Sequence, residues 1–379
     1  MPFHPRDSFI RNFVPFAEFI NPDSRDSLVL NSKLFRETFL ITILSYTISL
    51  PGYVGQRTTV PGGMDACFTW EKVQLLDGGF GTELEAAGYN VKNHSLWSCA
   101  ALFDNPNLIL QVHKRFIEAG SDIILTNTYQ ACISTMMNSR GMTKIAAESS
   151  LKKLVSLAQQ AVDECSAREK VKVVGSVGPY GVIFNDGSEY SGHYVDELEE
   201  QVLVDYHIQQ TIPLLQAGLK VIAYETVPSY KEAVAILKAV NAINHSYNFW
   251  ISFSCKNGEQ TNHNESFCKS VEKISHHPNI LGIGINCTSP NYITQLLQSA
   301  SISVNSLPFI VYPNSGEEYE CGTKKWRNGK CIFPDMGQLM EWKNLGMKVV
   351  GGCCRVGAEK IKELSTLVAK LNSEYNSVS

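Results

Sequence analysis

Residues 104–131 read DNPNLILQVHKRFIEAGSDIILTNTYQA, and the order of signals within them decides the fold. Asn105-Pro106 places proline in a first helical turn, where its missing N–H costs no hydrogen bond. Leu108, Val112 and Phe116 follow at spacing four, so the helix buries one stripe. Gly120 closes the helix. Ile123-Ile-Leu125 is then a short apolar run of the kind that suits a strand covered on both faces. It opens into Thr126-Asn127-Thr128-Tyr129-Gln130, a polar strand end. Helix, buried strand and polar end make one unit of an α/β fold.

The unit recurs from residue 72 onward. Further apolar runs are Val73–Leu76, Val171–Val174, Val221–Ala223, Phe249–Phe253, Leu281–Ile285, Phe309–Tyr312 and Val349–Val350, which brings the strands to eight. Between them lie helical stripes: Leu151, Val155, Ala158 and Val162; Leu198, Val202 and Tyr206, with Pro213 bending or breaking the end; Ala233, Leu237 and Val240; Ile361, Leu364, Val368 and Leu371. Eight such units in about 300 residues predict an α/β fold of the (β/α)8 TIM-barrel type. A doubly wound open sheet is the alternative, because alternation does not by itself require closure.

The 379 residues are 44% hydrophobic and 18% charged, a globular composition. A net charge of −4 offers nothing to nucleic acid. The 11 cysteines are an odd number in no regular framework, which points to reduced thiols and a cytoplasmic setting. Residues 1–63 show no helix–strand alternation and read as a poorly ordered extension ahead of a barrel domain at 64–375, with Met64 as an alternative start. The apolar run Phe39–Leu50 is too short for a membrane span, which takes about 20 residues.

In a barrel of this kind the active site forms at the C-terminal ends of the strands. Polar residues collect at those ends here. Strand six ends in Asn286-Cys287-Thr288 and strand eight in Gly351-Gly352-Cys353-Cys354. Neighbouring residues on a regular strand point to opposite faces, so Cys353 and Cys354 can share a metal only where the strand breaks. Gly351 and Gly352 are expected to give that backbone freedom. With Cys287 they would supply three thiolates, a set that suits Zn²⁺ and leaves its fourth position open.

Each residue also has a plainer explanation. Cys67, Cys99, Cys132, Cys165, Cys255 and Cys268 read as small buried hydrophobes, and Cys321 and Cys331 as free thiols in a polar insertion, with pairing or a metal of their own as the alternative. Asp77 and Glu225 could hold a substrate ammonium, but Asp77 could equally cap a helix. Thr128, Tyr129 and Asn286 are further candidates to touch substrate, and Tyr129 and Tyr224 could line the funnel or only pack. The glycines of 77–81 lack a phosphate-loop pattern, and His94, His113, His193 and His207 lack paired ligand spacing.

The motifs LLDGGFGTELEAAG (75–88), DNPNLILQVHKRFIEAGSDIILTNTYQA (104–131), GSVGPYG (175–181), YETVPSYKEA (224–233), GINCTSP (284–290), YPNSGEEY (312–319) and GGCC (351–354) together resemble the homocysteine S-methyltransferase family. The resemblance implies a TIM barrel with one zinc on Cys287, Cys353 and Cys354, and homocysteine recognition by Asp77 and Glu225. It is greatest to the compact members that use S-methylmethionine and sometimes S-adenosylmethionine. The C-terminal arm of betaine-dependent members has no counterpart after Cys354, so betaine is the alternative donor. The implied partners are small molecules only, and the protein is expected to be a monomer or weak oligomer. A non-catalytic zinc or redox-sensing barrel is the competing reading from another class.

Overall fold

The computed structural model describes residues 68, 70–165, 171–243, 245–304, 307–317, 319–320, 325–326 and 333–373. The extension at 1–63 and Cys67, Cys321 and Cys331 lie outside the described residues.

The barrel strands are β1 Gln74–Leu75, β2 Ile123–Leu125, β3 Lys172–Val177, β4 Val221–Val227, β5 Asn248–Phe253, β6 Ile280–Asn286, β7 Phe309–Tyr312 and β8 Met347–Val350, beside a separate antiparallel pair, Tyr319–Glu320 with Lys325–Trp326. The barrel strands form one parallel sheet in the order β1-β8-β7-β6-β5-β4-β3-β2. A parallel bridge from Leu76 to Ile123 joins the two ends. Asp77 N donates to Ile123 O at 3.1 Å beside it, and Asp122 N donates to Leu75 O at 2.7 Å. This closure excludes the open doubly wound sheet. A helix follows each strand, and the last of them, Ala358–Ser373, closes the chain's final unit.

Local chemistry explains the helix between β1 and β2. Asn105 caps Pro106–Ala119 by accepting from Leu108 N at 3.3 Å, and Gly120 ends it at φ 113°. The stripe between β3 and β4 differs from its expectation. That helix is Glu200–Gln216, so Leu198 precedes it, and Val202 is exposed. Leu203, Val204, Tyr206, His207, Gln210, Thr211, Pro213 and Leu214 are the buried residues, and the helix runs through Pro213 to Gln216.

Strand alternation sorts the side chains into two layers. Val174, Val221, Ala223, Trp250, Ile310 and Val349 fill the barrel interior. Ile222, Tyr224, Phe249, Ile251, Phe253 and Val311 pack outward beneath the helices. In β6 a register shift between β5 pairs Phe249–Ile280 and Trp250–Gly282 changes which residues face in. A Cβ on Gly284 would strike Ser252 Oγ at 1.7 Å, so the interior admits only glycine there. Phe68, ahead of β1, also belongs to the interior cluster; it is buried, with Lys172 Nζ 4.2 Å above its ring. The barrel thus begins earlier than its first apolar run suggests.

Candidate active site

The strand ends surround a cavity of about 180 Å³. Cys287, Cys353 and Cys354 line it, and their sulfurs all lie within 4.8 Å of one another. Cys287 and Cys354 approach to 3.4 Å. Backbone hydrogen bonds hold the three in place: Cys287 N donates to Tyr312 O (3.3 Å), Cys353 N to Pro313 O (2.8 Å) and Ser315 N to Cys354 O (3.1 Å).

The glycines act differently from the expectation. The left-handed backbone falls on Cys287 (φ 49°) and Arg355 (φ 67°), not on Gly351 or Gly352. The glycines are needed because there is no room for a side chain. A Cβ on Gly352 would come within 2.2 Å of Val356 Cγ1, and one on Gly351 within 2.7 Å of Leu76 Cβ. Arg355 N donates to Thr82 Oγ1 at 2.9 Å, which ties this turn to the helix after β1. Non-glycine residues held at positive φ cost of order 1–3 kcal/mol each and cluster at functional sites.

Two donors address the sulfurs. Tyr190 OH lies 3.5 Å from Cys287 Sγ and 3.7 Å from Cys354 Sγ, and Asn286 Nδ2 lies 3.9 Å from Cys353 Sγ. Hydrogen bonds from Cys287 and Cys353 hold the Cys354 thiol well below its usual range, so one thiolate is favoured within the trio.

Glu225 shares the inward parity of Val221 and Ala223 and is buried at the end of β4. Ser176 Oγ donates to its Oε1. Burial pushes its carboxyl up to about 7 against the opposing hydrogen bonds from Ser176 and Tyr312. Asp77 is 2% exposed and accepts from Leu125 N at 2.8 Å. Burial raises its carboxyl well above the usual range, and the nearby charge of Glu225 adds to this. Asp77 is not a helix cap: Gly79 occupies that position, with no side-chain cap bond.

Tyr129 lines the cavity. A Cβ on Gly178 would stand 2.6 Å from Tyr129 O, so that glycine makes room for the tyrosine backbone. Thr128 and Asn286 lie behind the wall, outside the lining residues. Thr128 Oγ1 donates to Ser176 O at 2.6 Å, which uses its hydroxyl in joining β2 to β3. Asn286 Oδ1 accepts from Thr226 N and its Nδ2 donates to Thr226 Oγ1, both at 2.8 Å, pinning β4 to β6. Tyr224 faces the helices, its hydroxyl between Thr211 Oγ1 (3.0 Å) and Tyr247 OH (2.9 Å). His113 and His207 are buried away from the cavity lining.

Sequence reasoning placed Ser176 and Tyr312 at polar strand ends without a role and missed Glu189, Tyr190 and Trp97; all five line the cavity. Parity could have found Ser176, in step with Val174, and Tyr312, in step with Ile310. Glu189 and Tyr190 sit in a 3-10 turn, Ser188–Tyr190, between β3 and its helix, where no periodicity marks them.

A closed barrel with thiols and buried carboxylates gathered at its C-terminal mouth is the architecture of a barrel enzyme acting on small molecules. The sequence model of the homocysteine S-methyltransferase family matches residues 74–368, and the chain belongs to that family. It is 36% identical over 302 residues to homocysteine S-methyltransferase 1 of Arabidopsis thaliana, covering 77% of this chain and 92% of that one. It is 35% identical over 306 residues to homocysteine S-methyltransferase YbgG of Bacillus subtilis, covering 79% and 95%. The metallated form of the homocysteine methyltransferase MmuM from Escherichia coli superposes with a TM-score of 0.68 at 31% identity, covering 78% of this chain and 96% of that one. Among the described residues no helix is long and apolar enough to cross a membrane.

Proposed function

We propose that this enzyme transfers a methyl group from a sulfonium donor, S-methylmethionine ahead of S-adenosylmethionine, to the thiol of homocysteine, giving methionine. The reading includes one zinc ion held by Cys287, Cys353 and Cys354. The observation that carries it is the convergence of three cysteine sulfurs beside two buried carboxylates in one cavity. Four sulfurs around a tetrahedral zinc, each about 2.3 Å from it, stand about 3.8 Å apart. A trio within 4.8 Å, with one pair at 3.4 Å, fits that spacing, and thiolates are the donors zinc favours. Zinc bound there would supply one thing, a lowered pKa for a coordinating substrate thiol.

The protein's own residues do the rest. Tyr190 and Asn286 place polar hydrogens against the cysteine sulfurs and disperse their negative charge. Asp77 and Glu225 would accept the ammonium of homocysteine. Their raised pKa values mark carboxylates that lack a cation, and a bound ammonium provides one. Ser176 and Tyr312 orient Glu225 for that role, while Thr128 and Asn286 brace the strand ends behind it. The rings of Phe80, Trp97 and Tyr129 exclude water and offer faces to a cation.

In the transfer the substrate thiol first gives its proton to solvent. Its sulfur then forms a bond to the methyl carbon, and the donor's S–CH3 bond breaks with its electron pair returning to the donor sulfur. An anion and a cation become two neutral thioethers, so charge is destroyed, which a dry cavity favours. Orientation of the two sulfurs about one carbon supplies several kcal/mol of the barrier reduction. The family membership and the intact carboxylate pair weigh against a purely redox-sensing barrel. The eight described cysteines are free, in keeping with a reducing, cytoplasm-like compartment for a monomer or weak oligomer. The test compares kcat/KM for S-methylmethionine, S-adenosylmethionine and betaine at fixed homocysteine. The reading requires S-methylmethionine to lead, and a preference for betaine would refute the donor assignment.

A further inference from the structure

A third buried acidic residue belongs to the wall of the same cavity. Glu189 lines it and is 7% exposed, and its Oε2 has no hydrogen-bond partner among the described residues. The turn that carries it is firmly seated. Gly187 adopts φ 85°, Asp186 Oδ1 accepts from Ser188 N at 2.9 Å, and a Cβ on Gly181 would strike Glu189 N at 2.8 Å. The next residue, Tyr190, touches the sulfurs of Cys287 and Cys354. Glu189 therefore stands on the wall beside the thiols.

Among the described residues that line the cavity, no free cation answers it. Lys92 is the only lysine or arginine among the lining residues, and its Nζ pairs with Glu85 at 3.3 Å. Burial pushes its carboxyl up to about 7 against a hydrogen bond from its own backbone N–H, and the charge of Asp186 adds to the rise. A buried acceptor without a donor is costly unless a ligand supplies one. A sulfonium carries charge but no N–H. A protonated amine carries both the charge and the N–H that such an acceptor lacks.

We propose that Glu189 binds the α-ammonium of the methyl donor, so that this site selects a sulfonium that is also an amino acid over cations without N–H groups. The proposal rests on the sulfonium reading above and names the residue that recognises the donor. The α-ammonium groups of the two amino acids then have separate anchors, Asp77 and Glu225 for homocysteine and Glu189 for the donor.

The test uses the full-length zinc-loaded enzyme and two donors, S-methylmethionine and (3-carboxypropyl)dimethylsulfonium, which lacks only the amine. Wild-type enzyme should favour S-methylmethionine in kcat/KM by roughly 10- to 100-fold, the worth of one charge-assisted hydrogen bond. Glu189→Gln should raise the KM for S-methylmethionine by a similar factor and leave the amine-free donor, the KM for homocysteine and the zinc content unchanged. Glu189→Asp should give an intermediate loss for S-methylmethionine alone. If the amine-free compound does not turn over, its inhibition constant replaces its KM. Equal use of both donors by wild type, an equal loss for both in Glu189→Gln, or a rise in the homocysteine KM would overturn the proposal. Wild-type enzyme that uses neither sulfonium but accepts betaine would remove the sulfonium reading itself, a result visible before any variant is made.

Discussion

The sulfurs of Cys287 and Cys354 stand 3.4 Å apart although 67 residues separate them in the chain. β7 lies between their strands, so the contact depends on barrel curvature and on the turn at Gly351–Gly352. Replacing Cys287, Cys353 or Cys354 with serine should abolish zinc binding and methyl transfer. The far-UV circular dichroism should stay unchanged, because the barrel is closed by strand pairing elsewhere. Metal analysis of each variant checks this, and a serine variant that kept a full zinc complement would remove that cysteine from the ligand set.

Glu225→Gln and Asp77→Asn should each weaken homocysteine use by about 1.5–3 kcal/mol in kcat/KM, the value of a charge-assisted hydrogen bond. Zinc content should not change. Loss of metal in either variant would show that the carboxylate supports the thiols rather than the substrate.

Much of this site was legible in the sequence, and the reasons differ by residue. Strands such as Ile123–Leu125 and Phe309–Tyr312 stand out because burial on both faces demands unbroken apolar runs. The cysteine trio was legible because it occupies strand ends. Tyr224 and Glu225 are neighbours in sequence, yet only parity with Ala223 tells which one faces the cavity. Thr128 looked like a site residue because its polar run ends a strand, but its hydroxyl is used in strand-to-strand bonding. Glu189 and Tyr190 were not legible at all. A 3-10 turn has no periodicity, and the approach of Tyr190 to the thiols comes from tertiary packing.

His113, outside the cavity lining, gives a pH test. It is fully buried, packs on Phe80 with centroids 4.8 Å apart, and neither ring nitrogen has a partner among the described residues. Burial pushes its pKa down to about 3, below the ordinary 6.5. The unfolded chain therefore binds the proton more readily. The stability that neutral His113 contributes is present above pH 6.5 and is lost as pH falls from there toward 3. Denaturant unfolding between pH 7 and 4 should show a shallower loss of stability for His113→Leu than for wild type. Parallel slopes would mean that the ring is protonated without cost.

A chain beginning at Met64 should fold and keep full activity, since the family match starts at residue 74 and all eight barrel strands lie within it. A chain beginning at Lys72 should be less stable, because it lacks Phe68 in the barrel interior and Trp70 beside it, centroids 5.5 Å apart. Phe68→Ala in the full chain should cost about 3 kcal/mol. Thermal and denaturant melts of the three proteins check this, and an unfolded Met64 chain would place part of 1–63 in the core.

The decisive measurement is the zinc content and methyl-transfer rate of one preparation before chelation, after chelation under reducing conditions, and after zinc is restored. One zinc per chain, activity lost on its removal and regained on its return, with S-methylmethionine and homocysteine as substrates, is the predicted result. Full activity in reduced, metal-free protein would contradict it.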